Sequence, residues 1–325
     1  MMSRSFSFHG VPISLCGNHE AVALTEARFS CFPSAPGDAR PATFEFYCPR
    51  NGGGHSIERP VGEARPFYEL PDGEADYFHA SERLYISYYS DGVRALCDLA
   101  QGHTLLSYLR PDAYSLYLAS HPFVTLPLIE LLKRRGLYNL HAAGLAINGR
   151  GFILSGNSGA GKTTLAVALV RAGFDFLSDD MLFLTAGGDG LRILGFPDQS
   201  DVADETVTMF PELRAALDPA GLRVGPKSQI RVEEFYRADI IWECRPAVVV
   251  FPRIGQAEQS ELTPLEPDEA LLELLPNLFL TEAASSQAHL DVLTRLAREA
   301  RCFRLETGRD FDSLAERLRG LVAAT

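Results

Sequence analysis

Eight consecutive residues, Gly156-Asn157-Ser158-Gly159-Ala160-Gly161-Lys162-Thr163, fit the pattern G-x-x-x-x-G-K-[ST]. No other stretch limits the fold as tightly, because this pattern works only where a strand ends and a helix begins. Both neighbours have the required character. Gly151-Phe152-Ile153-Leu154-Ser155 reads as a short buried strand, and Leu165, Ala166, Ala168, Leu169 and Val170 give an apolar helical stripe that Gly173 terminates. In such a turn successive backbone N–H groups point into one concavity, and the helix N-terminus adds about half a positive charge. A polyphosphate is then held largely by main chain. Lys162 is placed to neutralise the β- and γ-phosphates and the Thr163 hydroxyl to ligate Mg²⁺. With Thr164, the run from Gly156 through Thr163 forms the candidate nucleotide-binding segment, with ATP as the expected nucleotide and GTP or pyrophosphate left open.

The 325 residues allow two domains or one enlarged α/β domain, and the 46% hydrophobic and 22% charged fractions are ordinary for a globular chain. No stretch approaches ~20 uninterrupted apolar residues, so a membrane span is not expected. The N-terminal decapeptide lacks a long apolar core and a small-residue cleavage site, which points to a cytoplasmic protein. A net charge of −12 argues against general nucleic-acid binding. Cys16, Cys31, Cys48, Cys97, Cys244 and Cys302 are scattered, with no C-x-x-C pair, and read as reduced, mostly buried thiols. The eight histidines lack metal-binding spacing.

Composition divides the chain near residue 120. Residues 1–120 form a β-rich region, with aromatic or alternating runs at Thr43–Tyr47 and Arg83–Tyr89 set between loop compositions at Pro33–Asp38 and Asn51–Gly54. Residues 121–325 carry the phosphate-loop region. Thr125–Arg135 reads as a helix with proline in its first turn, packed against the nucleotide core. Leu140–Ile147 leads through Asn148-Gly149, a hairpin signal, into the strand before the loop. Phe174–Ser178, Met181–Leu184, Leu191–Leu194 and Ala247–Phe251 read as further strands, and helices are expected within 268–300 and 311–323.

Phosphoryl transfer needs a phosphate cradle, a metal held by oxygen ligands and a group that takes the proton of the attacking hydroxyl. Asp179 and Asp180, at the end of the strand after the loop helix, offer two carboxylates where strand ends of an α/β sheet converge. Taken alone, a paired aspartate is better explained by a solvated turn; with the phosphate loop upstream, the functional role is the favoured reading.

The segment from His141 to Leu184, with H-A-A-G-L-A-I, G-N-S-G-A-G-K-T-T-L and F-L-S-D-D-M-L-F-L, resembles the HPr kinase/phosphorylase superfamily, and more closely its kinase-like relatives in peptide-modification gene clusters, including lasso-peptide pathways. The resemblance implies an α/β fold with a P-loop core of the HPr kinase/phosphoenolpyruvate carboxykinase type. It also implies a serine hydroxyl of a peptide or small protein as phosphoacceptor, His141 lining the active site, Asp179 as general base and Asp180 helping Thr163 with the metal. Where family members usually carry S-E after the loop lysine, this chain has Thr163-Thr164, and an E-V-R-G-L-G-I-type segment is not found. The resemblance therefore extends to the kinase half and not to the phosphorylase reaction or the hexamer, and self-association stays open. Lys227 and Arg253 are further cations that could clamp phosphate, though the plainer reading of each is a solvated surface charge. A small-molecule kinase on the same core, and a nucleotide-binding docking or regulatory module without transfer activity, are the alternatives.

Overall fold

The computed structural model describes residues 2–35, 41–48, 57–58, 61–70, 73–80, 83–90, 93–109, 112–217, 223–224, 227–280 and 283–323. The chain forms two compact units, Met1–Arg135 and Gly136–Thr325.

In the first unit β1 (Met2–Phe8) and β2 (Val11–Gly17) form a hairpin, followed by α1 (His19–Arg28) and β3 (Ala42–Tyr47). A meander of β4 (Glu63–Leu70), β5 (Gly73–Ala80), β6 (Arg83–Ser90), β7 (Val93–Asp98) and β8 (His103–Tyr108) completes an eight-stranded sheet ordered β1-β2-β3-β8-β7-β6-β5-β4. Strand β3 is parallel to both β2 and β8, and its alternation buries Ala42, Phe44 and Phe46 on one face. Most of the expected loop composition, residues 36–38 and 51–54, lies outside the described residues.

The helix α1 was not anticipated from this β-rich composition. Its start is local: the Asn18 side chain accepts the Glu20 N–H at 2.9 Å, Glu20 lies in the first turn and Arg28 in the last. Two more helices, α2 (Ala113–Ser120) and α3 (Pro122–Lys133), follow the meander. The helix expected at 125–135 starts earlier because Pro122 takes the N-terminal position, leaving Pro127 inside the helix. It packs on α2 and β7 and so falls in the first unit, whereas the sequence reading gave it to the nucleotide core. Together Ala113–Lys133 is long and apolar enough to cross a membrane by composition, but 72% of the apolar window is buried inside the protein. The buried Lys133–Glu130 ion pair at 2.7 Å is a second mark of a core helix.

In the second unit β9 (Tyr138–Leu140), β10 (Ala142–Ile147) and β11 (Arg150–Ser155) precede α4 (Lys162–Arg171). Next come β12 (Asp175–Ser178), β13 (Leu182–Gly187), β14 (Gly190–Leu194), β15 (Ser200–Ala203), α5 (Asp204–Met209), β16 (Arg223–Val224), β17 (Lys227–Ile230) and α6 (Val232–Tyr236). The long β18 (Glu243–Ile254) is followed by β19 (Glu261–Leu265), α7 (Pro267–Leu274), α8 (Ala283–Glu299), β20 (Arg301–Thr307) and α9 (Phe311–Ala323). The main sheet runs β12-β10-β11-β18-β14-β13-β9, with β20 added to β18 and β19 to β20.

Strand β18 contains the wholly apolar run Ala247–Phe251, as expected of a strand covered on both faces. Val248 and Val250 enter a core with Phe152, Leu154, Leu165 of α4 and Leu318 of α9. Val249 and Phe251 enter the opposite core with Ile153 and with Leu293 and Leu296 of α8. The sheet is mixed. Strand β10 lies between β11 and β12, antiparallel to both, so β11 and β12 end at the edge where β10 begins. Asn148 and Gly149, with φ of 52° and 72°, make the tight turn that sets Ile147 opposite Arg150.

Candidate active site

Three segments meet at that edge: the residue entering β10, the loop leaving β11 and the residues leaving β12. They carry His141, Gly156–Thr164 and Asp179–Asp180. Ala142 pairs with Ser155 and Gly144 with Ser178, so the register itself gathers them. His141 interrupts the strand expected over Leu140–Ile147, since β9 pairs with β13 while β10 pairs with β11 and β12. Its backbone N–H donates to the Asn277 carbonyl at 3.1 Å, which fixes the break.

The loop has the backbone its glycines permit. Gly159 and Gly161 have φ of 81° and 92°, a region other residues occupy at a cost. Gly161 is the N-cap of α4 and no side chain caps it, so the helix N-terminus is open to an anion. The Lys162 ammonium folds back, donating to the carbonyls of Gly156 at 2.7 Å and Asn157 at 3.3 Å and to Nε2 of His141 at 3.1 Å.

Because an ammonium has no acceptor, Nε2 of His141 must accept, and the ring proton lies on Nδ1. Nδ1 lies 3.3 Å from Asp180 Oδ1. Burial lowers the His141 pKa, and the charges of Lys162 and Lys227 lower it further against the opposing pull of Asp180. The ring is therefore neutral near pH 7. Burial also lowers the Lys162 pKa, while Asp180 and Asp179 act to raise it.

The two aspartates occupy different environments. Asp179 is 5% exposed, and its Oδ2 accepts the Thr163 hydroxyl at 3.2 Å while its Oδ1 is buried with no hydrogen-bond partner. Burial, then the neighbouring Asp180 charge, push its pKa up to about 7, with Asp201 adding to the rise and Thr163 and Lys162 opposing it. The Asp180 side chain is 77% exposed. The metal pair expected from the sequence, Thr163 with Asp180, shares no hydrogen bond among the described residues. Instead Thr163 gives its proton to Asp179, which leaves the hydroxyl lone pairs free for a cation.

No three His, Cys, Asp or Glu side chains converge on a metal position among the described residues. A Mg²⁺ site of one or two protein oxygens completed by phosphate and water is the kind this constellation fits, and the exposed Asp180 carboxylate at the loop, with the accepting lone pairs of the Thr163 hydroxyl, is the observation in its favour.

Outside the loop, Thr164 exchanges a 2.7 Å hydrogen bond with Thr206 of α5. Asp201 of β15 accepts from Gln229 of β17 at 3.2 Å. Sequence reading missed Asp201, Gln229 and Thr206: they lie well downstream of the loop, in no local motif. The two extra cations separate. Arg253 is tied to Glu273 at 2.9 Å, and Arg304 shares the same carboxylate at 2.8 Å, so Arg253 belongs to a surface ion-pair group. Lys227 bears electrostatically on Lys162, His141 and Asp201. Cys97, Cys244 and Cys302 are buried, and Cys16, Cys31 and Cys48 are half-buried.

No family model matches the chain, and no curated protein matches it. Among solved structures it is similar to the HPr(Ser) kinase/phosphatase from Coxiella burnetii at 12% identity, over 57% of this chain and 88% of that one, with a TM-score of 0.34.

Proposed function

We propose that the second unit is an ATP- and Mg²⁺-dependent phosphotransferase that moves the γ-phosphoryl group to a hydroxyl, a serine of a peptide or small protein. The observation that carries this reading is Asp179: a buried carboxylate, hydrogen-bonded to the loop hydroxyl Thr163, with one oxygen unpartnered and a pKa near neutrality. A pure binding site has no need of such a group. A general base is most effective when its pKa lies near the working pH.

In this reading the loop amides and the N-terminus of α4 take the β- and γ-phosphates. Lys162 leaves the carbonyls of Gly156 and Asn157 for phosphate oxygens, and neutral His141, held by Asp180, orients it. Thr163 and Asp180 are the oxygen donors for Mg²⁺. The metal, when bound, neutralises charge on the phosphates. Oδ1 of Asp179 takes the proton of the attacking hydroxyl, and its Oδ2 keeps Thr163 oriented.

The chain, incubated with ATP, Mg²⁺ and a library of serine-containing peptides, is expected to place phosphate on a peptide hydroxyl located by mass spectrometry. Phosphate found only on members of a metabolite panel would move the acceptor to a small molecule. Failure to label any acceptor, with ATP bound and intact, would overturn transfer and leave a binding module.

A further inference from the structure

We propose that Lys227 is a second phosphate-binding cation, which reaches the terminal phosphate of a bound nucleoside triphosphate from the polar face of the small sheet β15-β17-β16. The inference rests on the nucleotide reading above and adds a residue to it.

The placement follows from register. Ser200 pairs with Ile230, Asp201 with Gln229, Val202 with Ser228 and Ala203 with Lys227. Residues directly opposite in an antiparallel pair point to the same face, and faces alternate along each strand. Val202 and Ile230 enter the core that also holds α4. Asp201, Gln229 and Lys227 therefore share the other face, and the Asp201–Gln229 hydrogen bond is the direct sign that they do.

The small sheet itself is anchored beside the start of the loop helix, with its apolar face on α4. Strand β15 packs on α4, and Thr206, three residues beyond Ala203, is hydrogen-bonded to Thr164 in the first turn of α4. The charges on the face are felt inside the site: Asp201 acts on Asp179, and Lys227 on Lys162 and His141.

Lys227 is exposed, and no hydrogen bond or ion pair holds its ammonium among the described residues. A flexible point charge of this kind suits an anion that is present only part of the time. Two ammonium groups near one another repel until an anion lies between them. In the P-loop, Lys162 serves the β- and γ-phosphates from the α4 side. A second cation beyond it is useful only to the phosphate that protrudes furthest, and this is the one present in ATP and missing from ADP.

The test is titration calorimetry in the presence of Mg²⁺, with the full chain, the β,γ-imido analogue of ATP and ADP. Lys227→Met is expected to weaken analogue binding about tenfold or more and to change ADP binding by less than about twofold, with Lys227→Arg recovering most of the loss. Equal losses for both nucleotides would reduce Lys227 to a structural role, and unchanged binding of both would remove it from the site. If the unmodified chain binds neither nucleotide, the nucleotide reading itself falls, an outcome distinct from failure of the Lys227 assignment alone.

Discussion

The glycine loop and the acidic end of β12 face one edge of the same sheet, yet they are built from different materials. The loop works through backbone: left-handed glycines, an uncapped helix N-terminus and a lysine resting on its own carbonyls. The acidic end works through burial, which separates two adjacent carboxylates into a perturbed Asp179 and an exposed Asp180. A backbone device should fail on loss of geometry or of its one cation. A burial device should fail on loss of charge, with geometry intact.

The largest expected effect lies on the loop side. Lys162→Met is expected to lower affinity for nucleoside triphosphate roughly 100-fold in calorimetry, since a charge-assisted phosphate contact is lost. Retention of full affinity would show that the loop amides suffice. Gly161→Ala probes the backbone alone. An added Cβ would meet only the Ile254 side chain, at 3.5 Å, so the penalty comes from the φ of 92°. A loss of about 1–2 kcal/mol in stability is expected, together with a several-fold drop in nucleotide affinity. An unchanged variant would mean that the loop relaxes freely.

On the acidic side the effect appears with pH. Because the folded pKa of Asp179 is raised to about 7, the folded state binds more protons than the unfolded chain between the usual carboxylate pKa and about 7. Its contribution to stability is fully present below that range and is lost as pH rises through about 7. The ligand-free protein should lose stability between about pH 4 and about pH 7, and Asp179→Asn should flatten that slope in urea titrations. The same slope in both proteins would place the perturbed group elsewhere.

The difference between the two sides also decided what could be read in the sequence. Gly156–Thr163 was legible because backbone geometry selects glycine at fixed spacing, and Asn148-Gly149 because a two-residue turn needs positive φ twice. Ala247–Phe251 was legible because only a strand covered on both faces is apolar throughout. The pair Asp179-Asp180 could be located but not resolved, since their spacing is the same whether buried or solvated, and it is the fold that separates them. Asp201, Gln229 and Thr206 left no trace, because they reach the site through strand register and one hydroxyl pair. Helix α1 was hidden by strand-like surroundings, although Asn18 and Glu20 carried a helix start. Strands β19 and β20 were missed among helical patterns at the C-terminal end.

The central claim is that the loop binds and Asp179 transfers. It is tested most directly by measuring nucleotide affinity and phosphoryl transfer side by side for the unmodified chain and Asp179→Asn, with the acceptor found by peptide screening. The expected result is affinity within about threefold and transfer reduced by about 10²–10⁴. Full transfer by Asp179→Asn would contradict the assignment.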